Sequence, residues 1–160
     1  MLKSLSILLP SYNNDCRPLI TALHSQAEAL GDNLSSYEIV VYDDCSTDTA
    51  KAEANRQLCE SLTHCRFVRG NHNVGRSAAR NRLVELAQHE WLVFIDSDLS
   101  PLPADFLAVY AEADSLGAEA VVGGLKIHAP TDTEPRSCLR YLYELGATQS
   151  HPLSWRKRNP

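Results

Sequence analysis

Two acidic residues one position apart, Asp96 and Asp98, are the pair in this sequence best suited to bind a metal ion. They flank Ser97 and follow the apolar run at residues 91–95, which is typical of a buried strand. Two carboxylates at the end of such a strand can meet a hard divalent cation from one side, because Mg²⁺ and Mn²⁺ prefer oxygen ligands. Capping of a helix near Pro101 is the alternative role, but a cap needs only one such residue. We therefore predict a cation site that also holds a phosphate-bearing ligand.

Two arginines, Arg76 and Arg80, have a spacing that suits phosphate binding. They lie four residues apart at the start of the predicted helix after Gly75, so they share one helix face. Guanidinium groups and helix N-termini both favour anions. Pairing with Glu85 or with solvent is the alternative role that the sequence leaves open.

The loops after the first two predicted strands carry groups suited to a nucleobase. Tyr12 follows the first strand and could stack on a base, although a core or surface position explains an aromatic residue equally well. Asp43 and Asp44 follow the second strand. One of the two could accept a hydrogen bond from a base imide N–H while the other caps the next helix. The sequence leaves open which aspartate takes which role.

Alternating strands and helices must position these residues. The strands are predicted at 5–9, 39–42, 66–68, 91–95 and 120–123, and the helices at 18–30, 46–62, 78–87, 106–115 and 137–145. The strands are continuous apolar runs, which is typical of a mainly parallel sheet with helices on both faces. We therefore predict one α/β domain over residues 1–160, with three α/β/α layers. Ligands of such sheets bind beyond the carboxyl ends of the strands, where the polar segments fall.

Composition narrows the class of protein. A chain of 160 residues with 44% hydrophobic content can bury one core, and its net charge of -5 argues against nucleic-acid binding. Five cysteines without a C-x-x-C pair indicate reduced thiols, and no apolar run is long enough to span a bilayer. We therefore predict a cytoplasmic location. The basic run at residues 156–158, after Trp155, is predicted to be solvated, with a patch that faces an anion or the inner face of the membrane as the alternative.

Together, the four strand-end segments resemble glycosyltransferase family 2, the inverting enzymes of GT-A fold. The resemblance extends over about residues 4–125 and depends on the order and spacing of the four segments rather than on any one of them. The matching runs are SILLPSYN at 6–13, IVVYDDCSTD at 39–48, NVGRSAARN at 73–81 and FIDSD at 94–98.

The resemblance implies a nucleoside-diphosphate-sugar donor, with a UDP-sugar favoured, and a hydroxyl acceptor in polysaccharide, glycolipid or cell-surface glycan synthesis. The implied nucleotide-binding residues are Pro10, Tyr12, Asp43 or Asp44, Gly75, Arg76, Arg80, Asp96 and Ser97. Within the D-x-D segment, the resemblance directs Asp96 towards the ribose and Asp98 to Mn²⁺ or Mg²⁺, with Asp96 beside the metal. Such a metal neutralises the charge that develops on the departing diphosphate.

The sequence departs from the family at its C-terminal side. Members usually continue with an acceptor-binding segment and an acidic general base that deprotonates the acceptor hydroxyl. Asp132 and Glu134 are acids in the remaining segment, but their Thr- and Pro-rich surroundings predict a surface loop, so no base is assigned. We therefore expect a truncated transferase domain that binds donor and turns over poorly or not at all.

Other classes of protein fit less well. A haloacid dehalogenase-type phosphatase also places an aspartate pair after an apolar strand, but its motif normally opens the domain, whereas Asp96 comes late in this one. Such a phosphatase also needs a downstream lysine and acidic pair, and Lys126 and Lys157 are the only lysines that follow. Nucleotidyltransferases and dinucleotide-binding dehydrogenases need a glycine-rich loop after the first strand, which residues 11–14 lack. A non-catalytic nucleotide-sugar-binding module or degenerate transferase remains an alternative. It would differ from the enzyme only in the acceptor-binding segment and the general base, which this sequence does not reveal.

Overall fold

The computed structural model describes residues 4–99, 103–112, 117, 119–123, 129 and 134–150. Strands and helices alternate along the described chain. The elements are β1 (Ser4–Ser11), α1 (Arg17–Leu30), β2 (Ser36–Asp43), α2 (Thr49–Ser61), β3 (Cys65–Arg69), α3 (Arg76–Leu86), β4 (Leu92–Phe94), α4 (Phe106–Ala111) and α5 (Pro135–Ser150), with a short 3₁₀ turn at Gly31–Asn33.

The described strands form one parallel sheet in the order β3-β2-β1-β4. Ser11 at the end of β1 lies opposite Asp43 at the end of β2, and Leu8 lies opposite Phe94 on the other side of β1. The chain leaves β1 towards β2 and later returns to the opposite side of β1 as β4. Because the strand order reverses at β1, a crevice opens beyond its carboxyl end.

The two faces of the sheet are covered by different helices. Leu5, Ile7 and Leu9 of β1 belong to an apolar cluster with buried residues of α1, α2 and α4. Leu8 points to the other face, where it packs in a second cluster with Leu83 of α3. This arrangement follows from the alternation of side chains along a strand, and it confirms the predicted three-layer α/β/α fold.

Local sequence signals explain both ends of α1 and the start of α2. Pro18 lies in the first turn of α1, where its missing N–H costs nothing, and the helix ends at Gly31. Gly31 has a φ of 48°, a left-handed conformation that favours glycine. The Asp48 side chain caps α2 by accepting the Lys51 backbone N–H at 3.1 Å.

The fourth strand is shorter and more exposed than the sequence predicts. The run at 91–95 was expected to be a buried strand, but only Leu92–Phe94 forms a ladder, and Phe94 is 41% exposed. Among the described strands β4 pairs only with residues 6–8 of β1, so its other edge has no described neighbour. Among the described strands β4 is therefore an edge strand, which leaves part of it exposed.

The predicted fifth strand at residues 120–123 is wrong, since these residues form no strand. No described strand lies beside them to complete a ladder, and Val122 is 81% exposed. A β-branched run does not become a strand without a neighbour to accept its backbone hydrogen bonds.

The last two helices differ from their predicted lengths. Helix α4 begins at Phe106 as predicted and is described as far as Ala111, whereas α5 begins at Pro135 and continues to Ser150, beyond the predicted 137–145. Asp132, Lys126 and residues 151–160, which include the basic run, lie outside the described residues.

The chain divides into two compact units, Met1–Val121 and Val122–Pro160. The sheet and its helices α1 to α4 belong to the first unit, and α5 belongs to the second. The predicted domain boundary at residues 1–160 stays a prediction. None of the helices in the described part of the chain has the length and apolar composition required to cross a bilayer.

The packing of α3 on the sheet generates a stability prediction. Leu83 is fully buried against β1 and β2, whereas its neighbour Val84 is 47% exposed. We expect Leu83→Ala to lower the free energy of unfolding by about 2–5 kcal/mol, because it leaves a cavity in the second cluster. Val84→Ala is the control and should change it by less than about 0.5 kcal/mol. Urea denaturation measures both, and equal losses would contradict the burial of this helix face.

Candidate functional site

A cleft of about 420 Å³ opens at the carboxyl ends of β1, β2 and β4, beside the first turn of α3. Every residue that the sequence assigned to the nucleotide or metal lines this cleft, except Asp43. The lining residues in this set are Pro10, Tyr12, Asp44, Gly75, Arg76, Arg80, Asp96, Ser97 and Asp98. Ser11, Asn14, Asn73 and Ala79 line it as well and had been given no role.

Asp43 holds a loop together beneath the surface. Its side chain is 1% exposed and accepts hydrogen bonds from the backbone N–H of Ser46, at 3.1 Å, and from the Ser46 hydroxyl. The Arg69 guanidinium lies 3.3 Å from the same carboxylate. These contacts fix the turn after β2 and leave Asp43 outside the cleft.

Asp44 lies at the cleft and fixes the loop before α3. One of its carboxylate oxygens accepts the backbone N–H of Val74 at 2.8 Å, and the other accepts that of Gly75 at 2.9 Å. Gly75 has φ 86° and ψ 166°, a conformation essentially restricted to glycine. The Asn73 side chain donates to the Asp44 carbonyl at 3.2 Å. The end of β2 is thereby joined to the start of α3.

Asn13 joins the loop after β1 to the loop after β2. Its backbone N–H donates to the Ser46 hydroxyl at 2.8 Å, and its side-chain oxygen accepts the Asp48 N–H at 2.9 Å. Its φ of 57° is left-handed, which asparagine tolerates better than most residues. The conformation lets its backbone and its side chain bond to the same neighbouring loop.

The D-x-D segment is tied to the rest of the cleft by two side-chain contacts. The Asn14 amide donates to the Ser97 hydroxyl at 3.1 Å, which links the first loop to the fourth strand end. Arg80 of α3 forms an ion pair and hydrogen bond with Asp96, whose side chain is 56% exposed. Glu85, the alternative partner considered for the arginines, pairs instead with Arg82.

The acid pair fits a metal ion completed by a bound diphosphate. Among the described residues, no group of three or more His, Cys, Asp or Glu side chains is arranged to hold an ion by itself. Mg²⁺ is commonly bound by one or two carboxylates together with substrate phosphates and water. Asp98 lines the cleft beside Asp96, and no hydrogen bond from another described side chain occupies its carboxylate. The donor set therefore suits a metal that enters with a phosphate ligand.

Two residues next to the cleft went unassigned at the sequence level. Asn55 of α2 is 1% exposed and binds the backbone of the first loop. The buried Cys16 donates its S–H to the Ser11 hydroxyl at 3.2 Å. Burial raises the pKa of the Cys16 thiol, while hydrogen bonds with the Ser11 and Ser97 side chains act in the opposite direction. A polar residue among the apolar positions of a helix was the available signal for Asn55.

The sheet order and the flanking helices define an α/β protein of the GT-A fold, and comparison with known sequences gives its family. Residues 6–159 match glycosyl transferase family 2, and the chain therefore belongs to that family. This membership separates it from the haloacid dehalogenase-type phosphatases.

Two of the curated relatives are named as glycosyltransferases, and both are longer than the matched region. The uncharacterized glycosyltransferase YibD of Escherichia coli is 32% identical over 96 residues, covering 59% of this chain and 26% of the relative. The putative teichuronic acid biosynthesis glycosyltransferase TuaG of Bacillus subtilis is 33% identical over 95 residues, covering 58% of this chain and 35% of the relative. The matched part of the chain thus spans 26% to 35% of these relatives.

Solved structures share the fold. The mannosyltransferase PcManGT from Pyrobaculum calidifontis, in complex with GDP-Man and Mn²⁺, aligns with a TM-score of 0.55 at 23% identity, covering 86% of this chain and 38% of that chain. S. aureus TarS 1-349, in complex with UDP-GlcNAc, aligns with a TM-score of 0.51 at 25% identity, covering 70% of this chain and 31% of that chain.

The contacts of Asp44 and Asp96 predict different effects of these two acids on stability. Asp44 holds the loop before α3, whereas Asp96 forms an exposed ion pair. We expect Asp44→Asn to lower the free energy of unfolding by about 1–3 kcal/mol, because its amide nitrogen would face the Val74 or Gly75 N–H. Asp96→Asn is the matched control at the same cleft. It breaks a solvent-exposed ion pair and should cost less than about 1 kcal/mol. Chemical denaturation measures both variants, and a larger loss for Asp96→Asn would contradict the assignment.

Proposed function

We propose that the strand-end cleft binds a nucleoside-diphosphate sugar, with a UDP-sugar favoured. We also propose that the chain is the donor-binding part of an enzyme, which transfers this sugar with inversion to a hydroxyl acceptor. The observation that carries the proposal is the convergence of Asp44, Arg80 and the Asp96–Asp98 segment in one cleft, although they come from separate strand and helix ends. A role in turns or helix caps could explain each of these polar residues separately, but it does not explain why all of them line one cleft.

In the proposed complex, the base lies against Pro10 and Tyr12, with Asp44 as its hydrogen-bond acceptor. Tyr12 is 48% exposed and lines the cleft, and an aromatic side chain in that position can stack on a base. The Asp44 oxygens each accept one backbone N–H, and a carboxylate oxygen has a further lone pair for the imide N–H of a base. Of the two aspartates that the sequence left open, the structure favours Asp44 because Asp43 is buried outside the cleft.

The phosphates are proposed to lie between α3 and the D-x-D segment. Arg76 and Arg80 line this side of the cleft at the first turns of α3, where unpaired N–H groups also favour anions. Asp96 is directed to the ribose and Asp98 to a divalent ion, with Asp96 beside it. A bound Mn²⁺ or Mg²⁺ supplies neutralisation of the charge that develops on the leaving diphosphate. No acid of the described chain is proposed as the general base.

For the acceptor we propose a polysaccharide or cell-surface glycan, with a lipid-linked glycan included in that class. The printed role of the relative TuaG in teichuronic acid biosynthesis supports this proposal. We propose a cytoplasmic location, extending to the inner face of the membrane where the acceptor is lipid-linked. It is supported by the five free cysteines, which suit a reducing compartment.

Calorimetric titration tests the donor site. We expect UDP, or another nucleoside diphosphate or its sugar conjugate, to bind the wild type with micromolar to sub-millimolar affinity in the presence of Mn²⁺. Asp98→Ala should remove the part of the affinity that depends on Mn²⁺, because it removes the proposed metal ligand. Asp32→Ala, an exposed acid in the turn before β2, is the control and should bind as the wild type does.

The outcomes of this titration are distinct. A folded wild type that binds no nucleotide contradicts the donor site, and binding that does not respond to Mn²⁺ or to Asp98→Ala contradicts the metal site. Sugar transfer by this chain at ordinary rates would refute the expectation that it turns over poorly. Binding without any transfer fits both that expectation and the non-catalytic alternative.

The proposed base site generates a further prediction for Tyr12. We expect Tyr12→Ala to weaken UDP binding by about 1–3 kcal/mol, the usual contribution of one base stacked on an aromatic ring. Tyr12→Phe keeps the ring and should bind with nearly the wild-type affinity. The same titration measures both variants. Equal losses would mean that the phenol hydroxyl, and not the ring face, contacts the nucleotide.

A further inference from the structure

Asn55 is a buried polar residue, and both the oxygen and the nitrogen of its side-chain amide bond to the loop after β1, at residues 14–16. It is 1% exposed on α2, between Ala52 and Cys59 on the buried face of the helix. Its Oδ1 accepts the Cys16 backbone N–H at 2.9 Å, and its Nδ2 donates to the Asn14 carbonyl at 2.8 Å. Burial of an unpaired amide is costly, and these two bonds satisfy it. Asn55 therefore holds residues 14–16 in one conformation.

The loop that Asn55 holds is in contact with the D-x-D segment. Asn55 bonds to the backbone carbonyl of Asn14. The side chain of Asn14 in turn donates to the Ser97 hydroxyl at 3.1 Å. Cys16, whose N–H Asn55 binds, lies against Ser11 at the end of β1. Asn55 is thus two hydrogen bonds away from Ser97, although it does not line the cleft.

The D-x-D segment needs such support because the sheet holds it weakly. Strand β4 has only three residues in its ladder, Leu92–Phe94, and Phe94 is 41% exposed. Beyond the strand, Ile95 still donates its N–H to the Leu8 carbonyl at 3.1 Å, and Leu99 donates to the Asp96 carbonyl at 3.1 Å to close a turn. The contact from Asn14 to Ser97 therefore supplies lateral support between the two acids.

We propose that Asn55 is a positioning residue that acts through Asn14 on Ser97 and so sets the placement of the Asp96 and Asp98 carboxylates for the nucleotide diphosphate. The proposal rests on the function proposed above for the cleft. It adds a residue of a remote helix to the determinants of diphosphate binding. Asn55 itself touches neither nucleotide nor metal.

Asn55→Asp is the variant that tests this role with the smallest change of shape. It keeps an acceptor for the Cys16 N–H, but it places an oxygen against the Asn14 carbonyl and repels it. We expect UDP to bind about tenfold more weakly in the presence of Mn²⁺, which corresponds to about 1.4 kcal/mol. Asn55→Ser, which is neutral and too short to reach both partners, provides the same test where the buried charge prevents folding.

Cys59→Ala is the matched control for loss of stability. Cys59 lies one turn further along α2, is 1% exposed and packs in the same apolar cluster as Cys16, but no described hydrogen bond joins its side chain to residues 14–16. We expect this variant to have a lowered Tm and an unchanged Kd for UDP with Mn²⁺. All titrations are made well below the lowest Tm of the set, so that each sample is folded.

A double-mutant cycle with Asn14→Ala tests whether the effect passes through Asn14. If it does, Asn55→Asp should weaken UDP binding little further once the Asn14 side chain is absent. Fully additive losses, an unchanged Kd in the Asn55 variants, or an equal loss in Cys59→Ala each overturns the positioning role while the donor site stands. A wild type that binds no nucleotide overturns the proposed function and this inference together, so the two failures are distinguishable.

Discussion

The two hydrogen bonds from the Val74 and Gly75 backbone to the Asp44 carboxylate are the contact on which the cleft depends. Asp44 is 5% exposed, and a buried carboxylate is tolerated only where hydrogen bonds replace its hydration. The bonds fix the loop before α3 and thereby the direction in which α3 leaves the sheet. Arg80, on the second turn of α3, lies within reach of Asp96 because α3 begins where Asp44 holds it.

From this contact, the four strand-end loops are joined side by side around the cleft. Asn13 ties the first loop to the second, Asp44 ties the second to the third, and Arg80 ties α3 to the D-x-D segment. Asn14 closes the circuit by bonding to Ser97. Cross-linked loops lose less conformational freedom when a ligand binds, so more of the contact energy is available for affinity. A binding site built on loops gains most from such cross-links, because loops are otherwise the mobile parts of a fold.

The sequence located the strand ends well because apolar runs followed by polar residues mark them directly. It could not decide between Asp43 and Asp44, since neighbouring residues at a strand end point to opposite faces and the choice depends on which face carries α3. That face follows from strand order. With right-handed crossovers, the step from β1 to β2 and β3 places α1 and α2 on one face, and the reversed step from β3 to β4 places α3 on the other. Strand order is a tertiary property, so Asp44 could be assigned to the cleft only from the structure.

Whether a predicted strand forms, and how deeply it is buried, depends on its neighbours in the fold, which the sequence does not show. The runs at 91–95 and 120–123 are both predicted to be strands, yet β4 is a short ladder and residues 120–123 form no strand. A strand requires a neighbour to accept its hydrogen bonds, and composition does not specify that neighbour. The opposite case is Asn55, where one polar residue interrupts the buried face of α2. A polar side chain in that position destabilises the packing of the helix unless it forms hydrogen bonds with buried backbone groups. Its presence therefore indicates that a loop passes beneath the helix, and the loop in question is the one that carries Asn14 to the cleft.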